Sequence, residues 1–216
     1  TGDRTRDLPL DPSKLDTTHL FALAAARGWA SGLRLYAVVF FTGLAGWLGW
    51  VPLPDGLKLL QNPLVLAASG LMLAIEFLAD KVPGLDSAWD ALHTLIRIPA
   101  GAALAAGVFG GGQAEWSTIA ALMGGTLAAT SHVAKATTRA AANTSPEPFS
   151  NIGLSLLGDA LVPAMLWASW QYPVPFFIVL AVVLVLMVAV TVMLMKFLVG
   201  LLRSLRSRMG GTRAMA

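Results

Sequence analysis

The chain has 216 residues, of which 56% are hydrophobic and 12% charged, about half the charged share of an ordinary soluble domain, and its mean hydropathy is +0.69. A soluble core of this length cannot hide so much apolar surface, so lipid is the expected solvent. The absence of cysteine excludes disulfides, thiolate metal sites and a cysteine nucleophile, while the net charge of +3 comes from basic residues beside apolar runs, a placement that sets membrane topology and argues against a nucleic-acid partner.

The N-terminal stretch TGDRTRDLPLDPSKLD is polar, contains Pro9 and Pro12, and lacks the apolar run and small-residue cleavage site of a secretory signal. Residues 1–27 therefore read as a polar cytoplasmic tail with the lead-in of the first helix. Apolar segments of spanning length follow from Trp29 to Trp50, Pro63 to Ala79, Ala88 to Phe109, Ser117 to Thr138, Ile152 to Trp170 and Pro173 to Leu202. The breaks between them carry turn chemistry: VPLPDG, KVPGLD, GGGQ, NTSPEPFSN and QYPVP. The expected fold is all-α, a polytopic membrane bundle of about six transmembrane helices, with residues 28–203 as one transmembrane domain and 204–216 as a basic cytoplasmic tail. A weak hairpin repeat is also expected. GLMLAIEFLADK resembles GTLAATSHVAKA, aligning Gly70 with Gly125, and IRIPAGAALA resembles ALVPAMLWAS, aligning Pro99 with Pro163.

Orientation follows from lysine and arginine placement. With the N-terminus inside, the inner segments carry Arg4, Arg6, Lys14, Arg27, Lys81, Lys135, Arg139, Arg203, Arg206, Arg208 and Arg213, and the outer loops carry Lys58 alone. Trp47, Trp50, Trp116, Trp167 and Trp170, with Tyr172, fall at the expected outer ends, where aromatic rings favour the interface. Both termini are thus expected in the cytoplasm.

Polar residues inside the spans form stripes. Arg27, Ser31 and Arg34 fall at i, i+4, i+7 on the first span, and Glu76 and Asp80 at i, i+4 on the second. Asp86, Asp90, His93 and Arg97 follow on the third, His132, Lys135, Arg139 and Asn143 on the fourth, and Asn151, Ser155 and Asp159 on the fifth. Each spacing gathers its set on one helical face. Charge facing lipid costs several kcal/mol, so the five faces should turn toward one another around a cavity open to the cytoplasm. Two plainer readings stand beside this one. The acids and bases nearly balance, so they can simply pair and tie the helices together. For Asp80, Lys81 and Asp86, beside a turn, solvated surface is the simpler reading.

Other chemistries are less well supported. Asp86, Asp90 and His93 on one face, with His132 and Asp159 opposite, offer oxygen and imidazole ligands for a divalent metal. No HExxH or paired Glu-x-x-His pattern accompanies them, and Arg97 and Lys135 oppose a cation. No cofactor is expected, and a metal at those five residues is the alternative. Ser155 lies one turn from Asp159 but no GxSxG elbow is present.

The strings ASGLRLY, EFLADKVPGLDSAWDALHTLIR and HVAKATTRAAANTSPEPFSN, within Gly28 to Trp170, resemble a bacterial family of multi-pass membrane proteins described as domain of unknown function 4126. The resemblance implies a multi-pass protein of the bacterial inner membrane and brings no activity with it. The leading functional expectation is a small transporter or channel-like protein for a polar or anionic solute. Arg34, Arg97, Lys135 and Arg139 would hold the anion, with Asp90, His93, His132 and Asp159 relaying protons. The alternatives are a membrane enzyme or carrier acting on a phospholipid-type head group, and a non-catalytic accessory subunit. Expected partners are the lipid bilayer, the solute or head group, and a homo-oligomer or larger membrane complex.

Overall fold

Among the described residues six α-helices and one 3-10 helix make up the fold: α1 (Thr17–Trp47), the 3-10 helix Asp55–Gln61, α2 (Pro63–Ala79), α3 (Leu85–Ala106), α4 (Ala114–Ala142), α5 (Pro148–Gln171) and α6 (Pro173–Gly211). The computed structural model describes residues 16–110, 112–144 and 148–211, so the expectations placed on Arg4, Arg6, Lys14 and Arg213, and on the side chain of Arg208, lie outside the described residues. No strand occurs among those described, and the chain is all-α as expected.

Local signals set the helix ends. The Asp16 carboxylate caps α1 by accepting from the His19 amide at 2.9 Å, and Asn62 caps α2 in the same way, with Pro63 at the first position where its missing N–H costs nothing. The α2–α3 turn closes on Gly84, whose φ of +85° suits glycine.

Among the described residues two helices are long and apolar enough to cross a membrane, Phe149–Gln171 with mean hydropathy 1.5 and Pro173–Ser204 with 3.3. A third crossing arises if the 3-10 helix and α2, bent by 71°, count as one. Six uninterrupted crossings are not confirmed on that measure. Asp86, Asp90, His93 and Arg97 on α3, and Ser131, His132, Lys135 and Arg139 on α4, dilute the apolar character of those helices.

The helix α1 departs furthest from expectation. Arg34 has φ −146° and ψ 77°, outside the helical region, and the chain doubles back there. On a straight helix Arg27 and Ala45 would lie about 27 Å apart, yet both line one cavity of about 390 Å³. The contacts give each arm its direction. Phe21 packs on Phe109 and Trp116, Gly28 meets Gly124, and Gly32 meets Ala128 and Ser131, so the first arm runs parallel to α4. Phe40 then meets Gly70, Gly43 meets Leu60 and Leu66, and Gly46 meets Leu53, so the second arm runs antiparallel to α2, back toward the end it came from. The single span expected from Trp29 to Trp50 is instead a helical hairpin with Arg34 at its tip. Residues 17–27, read from the sequence as tail and lead-in, belong to its first arm and are buried from Ala22 onward.

The hairpin is the centre of the molecule. Every residue from Ala22 to Leu35 is buried, and α2, α3, α4, α5 and α6 all pack against α1. Close approach to α4 rests on glycine: a Cβ at Gly28 would sit 2.5 Å from the Gly124 Cα. The helices α3 and α4 form the tightest pair, whereas α2 barely touches α3 and α4 barely touches α5. Both hairpins of the expected repeat are thus open, with α1 between their limbs. The outermost helix is α6, buried at Phe176 and Leu180 and exposed over most of its apolar length.

Candidate functional site

The break at Arg34 ends one helical arm inside the protein and leaves the carbonyls of its last turn without helical partners. Cations from two other helices supply the missing donors. Arg97 Nη1 on α3 donates to the Gly32 carbonyl at 3.3 Å, and Lys135 Nζ on α4 donates to the Leu33 carbonyl at 3.2 Å. Positive charge also suits the C-terminal end of the first arm's dipole.

Around this tip the charged stripes join in one network. Asp80, fully buried at the end of α2, lies 3.0 Å from Arg34 Nη1, 3.0 Å from Lys135 Nζ and 3.5 Å from Arg139 Nη2. Asp90 pairs with Arg97 at 2.9 Å and Lys135 at 3.1 Å, and Glu76 with Arg97 at 2.5 Å. Asp159 pairs with Arg34 at 2.7 Å and, at 3.7 Å, with Lys81. Arg139 reaches Asp86 at 3.2 Å and also donates to the Asp80 carbonyl. Asp86 further accepts from Asn143 Nδ2 at 3.0 Å, and Asn143 Oδ1 accepts from Asn151 at 2.5 Å. The Ser155 hydroxyl accepts from Arg34 at 2.9 Å. Helices α1 to α5 all contribute. The acids Glu76, Asp80, Asp86, Asp90 and Asp159 face the bases Arg34, Lys81, Arg97, Lys135 and Arg139, a balance of zero.

Asp80 and Asp86, for which solvated surface is the simpler sequence reading, are fully buried. Arg34 adopts a conformation that turns its side chain in among polar groups of α2 and α5, which explains the difference for Asp80. Asp86 is folded over the end of α4 by the Gly84 turn, its Oδ1 accepting from the Gly84 and Ser87 amides at 2.9 and 2.6 Å.

The two histidines sit at the margin. His93 stacks on Trp89 with centroids 4.1 Å apart. Its Nδ1 donates to the Trp89 carbonyl at 2.8 Å, leaving Nε2 to accept from the Tyr36 hydroxyl at 3.1 Å. The Thr94 hydroxyl donates to the Asp90 carbonyl and so accepts from His132 Nε2 at 2.8 Å. His132 Nδ1, Glu76 Oε2, Asp90 Oδ2 and Asp159 Oδ2 are buried without a hydrogen-bond donor, so the network holds proton acceptors. Tyr36, Thr94 and the Gly32 and Leu33 carbonyls join the site, none of which the stripe pattern marks. Arg27, on the same stripe as Arg34, does not join it. Among the described residues no three His, Asp or Glu side chains form a group that could hold a metal ion.

The charges meet one another rather than lining an open polar space. Beside them lies a chamber of about 250 Å³ between α1, α4, α5 and α6. Arg34, Asp80, Lys135 and Arg139 border it on one side, and Leu157, Leu161, Val183, Leu186 and Met187 on the other. A second space of about 360 Å³ on the far side of Arg34 is bordered by Asp159, Phe41 and Phe77. The tip of α1 can thus be reached from two sides.

No curated protein and no solved structure matches the chain. A family profile does match over residues 21–193, a stretch that takes in both arms of α1 and about half of α6 and exceeds the Gly28–Trp170 stretch of the resemblance, and the chain belongs to that family, described as domain of unknown function (DUF4126).

Proposed function

We propose that the protein is a small transporter of an anionic solute in the bacterial inner membrane, with its binding site at the tip of α1. The observation that carries this reading is the broken helix inside the bundle, its freed carbonyls met by cations from two other helices. Irregular backbone at membrane depth is tolerated where it is buried in protein or lines a cavity, and such breaks mark substrate sites in transporters.

The helices α2 to α6 are taken to cross the bilayer, and α1 to enter and return, giving five crossings in place of the six expected from the sequence. Lys81, Lys135, Arg139, Arg203 and Arg206 gather toward one end and Lys58 lies at the other, so the basic end faces the cytoplasm. The start of α1 then lies on the outer side, and the cytoplasmic N-terminus expected from the sequence is given up.

The paired state suggests how binding and proton movement are coupled. Asp159, partly exposed at 23%, occupies Arg34 as an internal anion at 2.7 Å. Arg34 and Lys81 are the charged groups that face it. Protonation of Asp159 weakens that hold and frees one edge of the Arg34 guanidinium for a carboxylate or similar oxyanion, which a planar fork binds well. Asp90 and His132, on α3 and α4, would relay the proton. Proteoliposomes loaded with the protein should take up anions faster with an inward proton gradient than protein-free vesicles do, and Arg34→Ala should cut the rate at least tenfold. Uptake equal to protein-free vesicles across chloride, phosphate and small carboxylates would refute the proposal.

The chamber's hydrocarbon wall favours one second reading, that an anionic amphiphile sits with its head on Arg34, Lys135 and Arg139 and its chain along α5 and α6. Anionic lipid retained through purification by wild type and lost by Lys135→Ala, with no solute flux, would favour it.

A further inference from the structure

Arg27 is a buried cation without a counter-charge. It lies two turns before the tip on the first arm of α1 and is 4% exposed. Its Nη1 donates to the Leu23 carbonyl of its own helix at 3.1 Å, its Nε has no partner, and it forms no ion pair among the described residues. Arg34, Arg97, Lys135 and Arg139 each have a carboxylate. A lone charge at such depth is costly, and in membrane helices it marks a ligand path by default.

Arg27 lines the cavity of about 390 Å³ between the arms of α1 and α5. Three further residues that carry donors line the same space: Thr42, Gln171 and Trp170, whose indole Nε1 is buried and unpartnered. No aspartate or glutamate lines it, and the rest of its wall is largely aromatic and aliphatic, with Phe41, Trp50 and Trp167 prominent.

We propose that this cavity binds an organic monoanion, a carboxylate carried on an apolar or aromatic body. One guanidinium with neutral donors beside it suits a single negative charge, and its fork matches a carboxylate in two parallel hydrogen bonds. The apolar walls and the volume suit a body larger than an inorganic ion. The site is separate from the charge network and does not depend on the transport reading.

Calorimetric titration of the purified full chain with sodium benzoate, and with benzamide as the neutral analogue of the same shape, tests it. Benzoate should bind saturably and at least tenfold more tightly than benzamide. Arg27→Gln should weaken benzoate at least tenfold, yet unfold without ligand at the same temperature as wild type or higher, because it removes an unpaired buried charge. Trp170→Phe, which keeps the ring and removes one donor, should weaken benzoate several-fold and decides the matter if Arg27→Gln does not fold. Equal binding of benzoate and benzamide, no binding of either, or benzoate affinity unchanged in the variants that fold would overturn the proposal. So would loss of binding in Arg34→Ala with retention in Arg27→Gln, which places the ligand on the charge network instead.

Discussion

Asp80 shows how the site is held together. Its carboxylate faces Arg34, Lys135 and Arg139 at once, and in a buried setting the attraction of such pairs is largely offset by the water they have lost. Removing one partner is different, because the cations left behind stay buried and uncompensated. Asp80→Asn should therefore destabilise the protein by about 3–5 kcal/mol, read as a fall in the unfolding midpoint in detergent. Asp159→Asn, at a partly exposed position with one close partner, should cost much less. Equal effects at the two positions would contradict the assignment of Asp80 as the hub. The helical spacing of Asp86, Asp90, Arg97, Lys135 and Arg139 made the shared face legible from sequence, since charge in hydrocarbon has few other places to go. Burial of Asp80 and Asp86 was not legible. Both stand beside a turn, and only the tertiary return of α1 closes over Asp80. Arg27 also misled, because a stripe on a helix says nothing about a break between two of its members.

The break in α1 is the element on which the rest is arranged. No proline or glycine marks position 34, and the freed carbonyls are answered by side chains about 60 and 100 residues away in sequence, so local propensity alone could not place it. One signal was present: the apolar character begins at Leu20 and runs to Trp47, longer than one crossing needs. Spin labels at Thr18→Cys and Leu48→Cys, introduced into a chain with no cysteine of its own, would lie about 45 Å apart on a straight helix. The hairpin predicts a distance far below that, and a value near 45 Å would contradict it. The contact of the first arm with α4 can be probed separately. Gly28→Ala would bring a Cβ to 2.5 Å from backbone, so overpacking should cost about 1–3 kcal/mol, seen as a lower unfolding midpoint. Gly153→Ala, inside α5 where a Cβ meets nothing within 4 Å, should keep or raise the midpoint, because alanine favours the helix.

For the whole molecule, composition and periodicity pointed to an all-α chain, which the fold bears out, and to lipid as its solvent, which two helices of spanning length and hydropathy support, and the three quoted strings pointed to the family that the profile confirms. The number of crossings was not available from hydropathy, because the same polar residues that build the site weaken the signal of α3 and α4, and because a hairpin helix and a spanning helix share one composition. Topology therefore separates a returning α1 from a spanning one. Five crossings place the start of α1 and the end of α6 on opposite faces of the membrane, whereas six place them on the same face. Labelling of Thr18→Cys and Arg206→Cys with a membrane-impermeant maleimide, in intact spheroplasts and in inverted vesicles, reads this directly. With α1 returning, residue 18 reacts from outside and residue 206 from the cytoplasmic side. Reaction of both from the cytoplasmic side would show that α1 crosses the bilayer after all, and the site built on its return would fall with it.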